Sequence, residues 1–93
     1  MEFKKIFVAG AGTMGNGIVQ VCAQSGYAVV MYDLSQEDVD KALEKVRWSV
    51  EKLVGKGVVP GSLDEVMGRI ELSTDVQAAA GADLVIEIGR AHV

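Results

Sequence analysis

Residues 4–17, KKIFVAGAGTMGNG, constrain this chain more than any other stretch of it. Lys4–Gly10 is an apolar run of β-forming residues that ends in glycine. Its apolarity is continuous rather than alternating, which belongs to a strand covered on both faces. A helical stretch over residues 14–25, MGNGIVQVCAQS, follows at once, with Gly26 where a helix C-cap belongs. Helical spacing predicts that Met14, Ile18, Val21 and Cys22 form its core face. Between strand and helix, Gly10-Ala11-Gly12-Thr13-Met14-Gly15 spells G-x-G-x-x-G.

Alone, that pattern is weak. A strand before it, a helix after it and an acid further on turn it into a dinucleotide-binding fingerprint. Gly10 allows the tight turn, Gly12 the close approach of a pyrophosphate, and Gly15 close packing of helix on sheet. Gly17 is expected to widen the same contact. Ala11, Thr13 and Met14 complete the loop as cofactor-binding candidates. The unpaired N–H groups at the helix start, with the helix dipole behind them, favour an anion there. Tyr27–Asp33 reads as a second buried strand, and its last residue lies eighteen positions after Gly15. From there the Asp33 carboxylate can accept hydrogen bonds from both hydroxyls of an adenosine ribose, and it repels a 2′-phosphate. The following LSQEDVD offers no Arg to offset that repulsion, so NAD is the expected cofactor rather than NADP. Two readings stay open at this point. A flavin nucleotide could use the same loop, and the glycines could serve a turn while Asp33 merely ends a strand.

The rest of the chain repeats the alternation. Ser35 can cap a long helix over about 36–54, whose apolar seam is Val39, Leu43, Val46, Val50 and Leu53. Ser62 and Glu65 have the spacing of a capping box, opening a short helix through about Arg69. Ile70–Thr74 is a third strand, Asp75–Gly81 a short Ala-rich turn of helix, and Ala82–Glu87 a fourth strand. Strands separated by helical crossovers imply a parallel sheet with right-handed connections. The fold class expected is α/β: a Rossmann-type doubly wound parallel sheet, with strand order 3-2-1-4 for four strands.

Composition narrows the function classes. Ninety-three residues, 49% hydrophobic and 24% charged, suit a single globular domain. A net charge of −4 argues against nucleic acid or an anionic membrane as partner. Cys22 is the chain's one cysteine, which excludes an intramolecular disulfide, and it reads as a small buried hydrophobe. No stretch approaches the length of a membrane span. A cytoplasmic location is the expectation.

The quoted motifs also carry a resemblance. KKIFVAGAGTMGNGIVQVCAQSGYAVVMYD, together with LVGKGVVPGSLDEVMGRIELSTDVQAAAGADLVIE, resembles the start of the 3-hydroxyacyl-CoA dehydrogenases, and most of all their bacterial 3-hydroxybutyryl-CoA branch. The likeness covers residues 4–87. It implies an NAD-dependent enzyme of fatty acid metabolism that interconverts 3-hydroxyacyl-CoA and 3-oxoacyl-CoA and acts as a homodimer when full length. It also implies that Ser49, in RWSVEKL, and Lys56, in VGKG, contact the CoA part of the substrate, with Lys52 as a substitute cation. In such enzymes a His in an HFFNP-like stretch, assisted by a Glu, handles the hydroxyl proton. His92 does not match that stretch, so no catalytic residue is assigned and the 93-residue chain is expected to be inactive. The alternatives are another NAD-dependent hydroxy-acid dehydrogenase, or a non-catalytic nucleotide-sensing domain.

After DLVIE the chain departs from the family pattern. Ile88–Val93 corresponds, codon for codon, to ATC GGA AGA GCA CAC GTC, the start of a common short-read sequencing adapter. Residues 1–87 are therefore expected to be the N-terminal part of an NAD-binding domain, and 88–93 an adapter read-through tail. The alternative is a natural small nucleotide-binding module with an unusual tail.

Overall fold

In the computed structural model, residues 4–10 and 12–87 are described. The expected tail at 88–93 therefore lies outside the described residues. Strand β1 (Lys5–Ala9) leads to helix α1 (Thr13–Gln24), then to β2 (Ala28–Tyr32) and the long helix α2 (Gln36–Gly55). A short helix α3 (Leu63–Met67), strand β3 (Ile70–Ser73), a 3-10 helix (Val76–Gly81) and strand β4 (Leu84–Glu87) follow. The four strands make one parallel sheet in the order β3-β2-β1-β4. This is the doubly wound arrangement expected from the alternation of strands and helices.

Local signals placed the helix ends. The Ser35 hydroxyl accepts the Asp38 amide at 3.4 Å and starts α2. Ser62 and Glu65 form the full capping box of α3, with reciprocal bonds of 3.1 Å. Gly68 rather than Arg69 closes that helix. At the end of α1, Gly26 takes a φ of +97°. Its amide bonds Ala23 O at 3.2 Å, and that of Tyr27 bonds Cys22 O at 3.0 Å. This pair of bonds is the glycine-dependent C-terminal motif that turns the chain into β2.

The two sheet faces are covered differently. On one, Ile6, Val8, Val29 and Met31 pack with Val19 and Ala23 of α1 and with Val39, Ala42, Val46 and Val50 of α2. Leu43 and Leu53, expected in the α2 seam, are half-buried, whereas Ala42 is buried. On the other face Phe7 stacks on Tyr32 at a centroid distance of 5.5 Å, and the 3-10 helix packs against β1 and β2. Among the described residues no polar or charged side chain is buried. The core is therefore held by apolar burial and packing.

Helix α1 corrects one expectation. Its fully buried positions are Gly15, Val19 and Ala23; of the predicted Met14, Ile18, Val21 and Cys22, Ile18 and Cys22 pack half-buried against the same core and the other two do not. Met14 and Val21 are 68% and 61% exposed. The cause is Gly15: a Cβ added there would overlap the Gly10 carbonyl group, 2.9 Å from its carbon. The helix must turn that bare position to the end of β1. Gly17 does not share in this contact, since a Cβ there would meet nothing within 4 Å. Cys22 is half-buried, and burial pushes its thiol pKa up, as expected of an inert thiol.

Strand β4 is apolar but lies at the edge of the sheet. Leu84 and Val85 are 37% and 50% exposed at the sheet edge, and Ile86 alone packs against the core. Asp83 ties the strand down from outside. Its carboxylate accepts the amides of Lys4 at 2.8 Å and Lys5 at 3.0 Å, while its own amide donates to Lys5 O at 2.8 Å.

Two predictions follow from these contacts. Gly15→Ala should cost about 1–3 kcal/mol in urea unfolding through overpacking of backbone on backbone, whereas Gly12→Ala should leave the midpoint nearly unchanged. The Lys4 and Lys5 amides hold the Asp83 carboxyl below the usual carboxylate range, with the Lys4 charge helping. A folded value lower than the unfolded one contributes stability above about pH 4, lost as pH falls through the folded value. Protection of the Lys4 and Lys5 amides from hydrogen exchange, taken relative to the intrinsic rate at each pH, should fall over that acid range, and Asp83→Asn should flatten the response.

Candidate functional site

The carboxyl ends of β1 and β2 come together at one point. Register pairs Ala9 with Tyr32, and the Gly10 amide, one residue on, donates to Tyr32 O at 2.8 Å. Gly10 has a φ of +123°, a conformation L side chains rarely adopt, so the chain can leave the strand abruptly there. Asp33 follows Tyr32, so the glycine turn and the acid stand side by side. The Asp33 carboxylate accepts the Leu34 amide at 2.7 Å, which orients it at the mouth of the turn.

Gly12 is the N-cap of α1, with φ −76° and ψ −172°, ordinary extended backbone. Its carbonyl accepts the Asn16 amide at 2.8 Å and begins the helical ladder. A Cβ on Gly12 would meet no protein atom within 4 Å. The two glycines therefore differ in kind: Gly15 is bare because protein fills the space, and Gly12 opens to solvent at the helix start. That open approach beside the first-turn N–H groups fits a pyrophosphate. Ala11, also expected in the loop, lies outside the described residues. Thr13 is the first residue of α1, and Met14 follows on its exposed side.

The two expected CoA contacts lie elsewhere, along α2. Ser49 is half-buried and Lys56 is the exposed C-cap of the helix. Ser49 is thirteen residues from the helix start beside Asp33, about 20 Å along the axis at 1.5 Å per residue. Lys56 is two further turns on. Both lie along α2 away from Asp33, although Ser49 shares a groove with Asn16 and Gly17, which directly follow the glycine loop. The Val58 amide bonds Leu53 O at 3.0 Å and the Gly57 amide Val54 O at 3.0 Å, so Lys56 sits on a closed helix end.

One feature is invisible in the sequence. Where α1 and α2 pack, Asn16, Gly17 and Gln20 face Lys45, Trp48 and Ser49 across an open groove of about 690 Å³. Gly17 forms part of its wall, and a Cβ there would meet nothing within 4 Å. Trp48 is 63% exposed, and the Lys52 ammonium stands 3.7 Å from its ring centre. No spacing rule links residue 17 to residue 48; only the packing of the two helices does.

Comparison with known proteins agrees with this geometry. The sequence profile of the 3-hydroxyacyl-CoA dehydrogenase NAD binding domain matches residues 5–90. A relative from Deinococcus radiodurans, named "Probable 3-hydroxybutyryl-CoA dehydrogenase", is 46% identical over 83 residues, covering 89% of this chain and 30% of that protein. The 3-hydroxyadipyl-CoA dehydrogenase of Escherichia coli is 36% identical over 88 residues, covering 94% of this chain and 18% of its own length. Among solved structures, (S)-3-hydroxybutyryl-CoA dehydrogenase from Ralstonia eutropha superposes with a TM-score of 0.90 at 34% identity. It is covered over 99% of this chain and 33% of the enzyme. The chain thus spans about a third or less of the relatives it matches. On the profile match, the sequence identity and the shared sheet order together, the chain belongs to the NAD-binding-domain family of the 3-hydroxyacyl-CoA dehydrogenases.

Proposed function

We propose that the chain is the dinucleotide-binding part of an NAD-dependent dehydrogenase interconverting 3-hydroxyacyl-CoA and 3-oxoacyl-CoA, with 3-hydroxybutyryl-CoA as substrate. The observation that carries this reading is the open Gly12 position at the start of α1, beside Asp33 at the end of β2. NAD, when bound, supplies the hydride acceptor. Gly10, Gly12 and Gly15 shape the turn that receives its pyrophosphate, and Ala11, Thr13 and Met14 complete that loop. The α1 N-terminus attracts the anion, and Asp33 accepts the adenosine ribose hydroxyls. Ser49 and Lys56 serve the CoA portion. A cation at a helix C-terminus is also favoured by the dipole alone, so Lys56 has a structural use as well.

The choice of 3-hydroxybutyryl-CoA rests on the names of the Deinococcus and Ralstonia relatives. The E. coli relative, named for a longer diacid thioester, marks the acyl group as the variable part. The His that handles the substrate proton is not assigned to any residue of this chain. The full-length enzyme is proposed to be a cytoplasmic homodimer that contacts neither nucleic acid nor membrane.

Calorimetric titration of NAD into the chain tests the loop. Because the Gly12 backbone is ordinary and its Cβ direction open, Gly12→Val should keep the melting temperature while weakening NAD at least about tenfold, or ~1.4 kcal/mol. Unchanged affinity would overturn the pyrophosphate assignment. NAD should bind better than NADP, since a 2′-phosphate beside Asp33 adds a like charge costing about 1–3 kcal/mol. Asp33→Ala should narrow that gap; a preference for NADP in the unaltered chain would contradict the assignment. Absorbance at the NADH band should show no turnover of 3-hydroxybutyryl-CoA by the chain.

A further inference from the structure

The carboxyl ends of β2 and β3 open side by side. Register pairs Tyr32 with Ser73, and the Asp33 amide donates to Ser73 O at 3.3 Å. The crossover from β3 to β4 has to run from the carboxyl end of the parallel sheet back to its amino end. Val76, the first residue of the 3-10 helix on that crossover, therefore lies at the same end as Asp33. Several polar side chains on these two exits are occupied with local structure. The Ser35 hydroxyl accepts the Asp38 amide, and Gln36 Nε2 donates to the Asp40 carboxylate at 2.9 Å. On the β3 exit the Ser73 hydroxyl accepts the Asp75 amide at 3.0 Å, and the Asp75 carboxylate accepts the Gln77 amide at 2.9 Å. Two large apolar side chains stand exposed on the same exits, Leu34 at 78% and Val76 at 60%.

We propose that Leu34 and Val76 hold the base of the dinucleotide by apolar contact alone, so that the site reads the ribose and not the identity of the purine. This deepens the NAD reading above and rests on it. With the pyrophosphate over the β1 turn and the ribose at Asp33, the base at the far side of the ribose is directed across β2 towards β3. That is where the two apolar side chains stand. Apolar contact is non-directional and follows the area removed from water, which one flat purine supplies about as well as another. A site that hydrogen-bonds a ligand group rejects an analogue lacking it, whereas an apolar wall rejects it weakly. Asp33 makes the first kind of contact and Leu34 the second. Thr74 and Gln77 are the other exposed polar side chains of the β3 exit, and the proposal gives them no part in binding the base.

Calorimetric titration of the chain can set a change of base against a change of sugar. Nicotinamide hypoxanthine dinucleotide should bind within about threefold of NAD. The NAD analogue with a 2′-deoxyribose on its adenosine side should bind at least about tenfold more weakly, because Asp33 loses a hydroxyl partner. Leu34→Ala and Val76→Ala, at exposed positions, should leave the melting temperature unchanged. Each should weaken NAD and the hypoxanthine analogue by the same factor, about three- to tenfold. Leu34→Met should keep the affinity, since it keeps an apolar side chain of similar size. A preference for NAD over the hypoxanthine analogue above about tenfold, abolished by Thr74→Ala or Gln77→Ala or by neither, would overturn the proposal. So would a deoxyribose analogue that binds as well as NAD, or affinity unchanged in both alanine variants. In each of these cases a weakening of NAD by Gly12→Val would leave the dinucleotide reading standing. No NAD binding at all would overturn both.

Discussion

The approach of α1 to β1 at Gly15 and Gly10 is the contact on which the rest of the molecule depends. Two backbones meet with no side chain between them, which only glycine permits. That contact sets the rotation of α1 about its own axis. Val19 and Ala23 then point into the sheet, and Met14 and Val21 point out. The same rotation aims the open side of Gly12 and the first-turn amides at solvent. The rotation that buries the helix's small and branched residues therefore also leaves the start of the helix open to solvent.

Around that contact the architecture is economical. β1 lies between β2 and β4, so the strand that carries the glycine turn is hydrogen-bonded on both sides. β2 delivers Asp33 to the same edge because the strands are parallel and in matched register. A parallel pair requires a crossover, and α1 supplies it while covering one face. The second face depends on the Phe7–Tyr32 stack and the short 3-10 helix. That cover reaches β1 and β2 but leaves Val85 of β4 half exposed.

Charge is distributed in the same economical way. The core holds no buried polar side chain among the described residues, so no ion pair has to be desolvated inside it. Ionised groups instead work at the surface. Asp83 pins the start of β1 to β4, Arg69 donates to Ala23 O at the end of α1 at 2.7 Å, and Lys52 of α2 stands over an exposed indole. The first two replace backbone partners at the ends of elements, and the last leaves a cationic surface beside a cleft.

Much of this was legible without coordinates. The strand and helix order, the Ser35 and Ser62 caps, the Gly26 stop and the pairing of a glycine turn with Asp33 all follow from spacing. Their causes are local: a capping hydroxyl reaches an amide one turn away, and burial on both faces demands continuous apolarity. What the sequence could not show depends on two segments meeting. Helical spacing put Met14 and Val21 in the core because it counts apolar residues and is blind to a glycine that must touch another backbone. β4 is apolar in sequence, yet how far it is buried is decided by what lies against it. The Asp83 tie joins residues 78 and 79 positions apart. The groove lined by Gly17 and Trp48 exists only where α1 and α2 pack together. Local chemistry thus determined the elements and the glycine turn, and tertiary packing alone decided which helix face is inside and where a groove opens between α1 and α2.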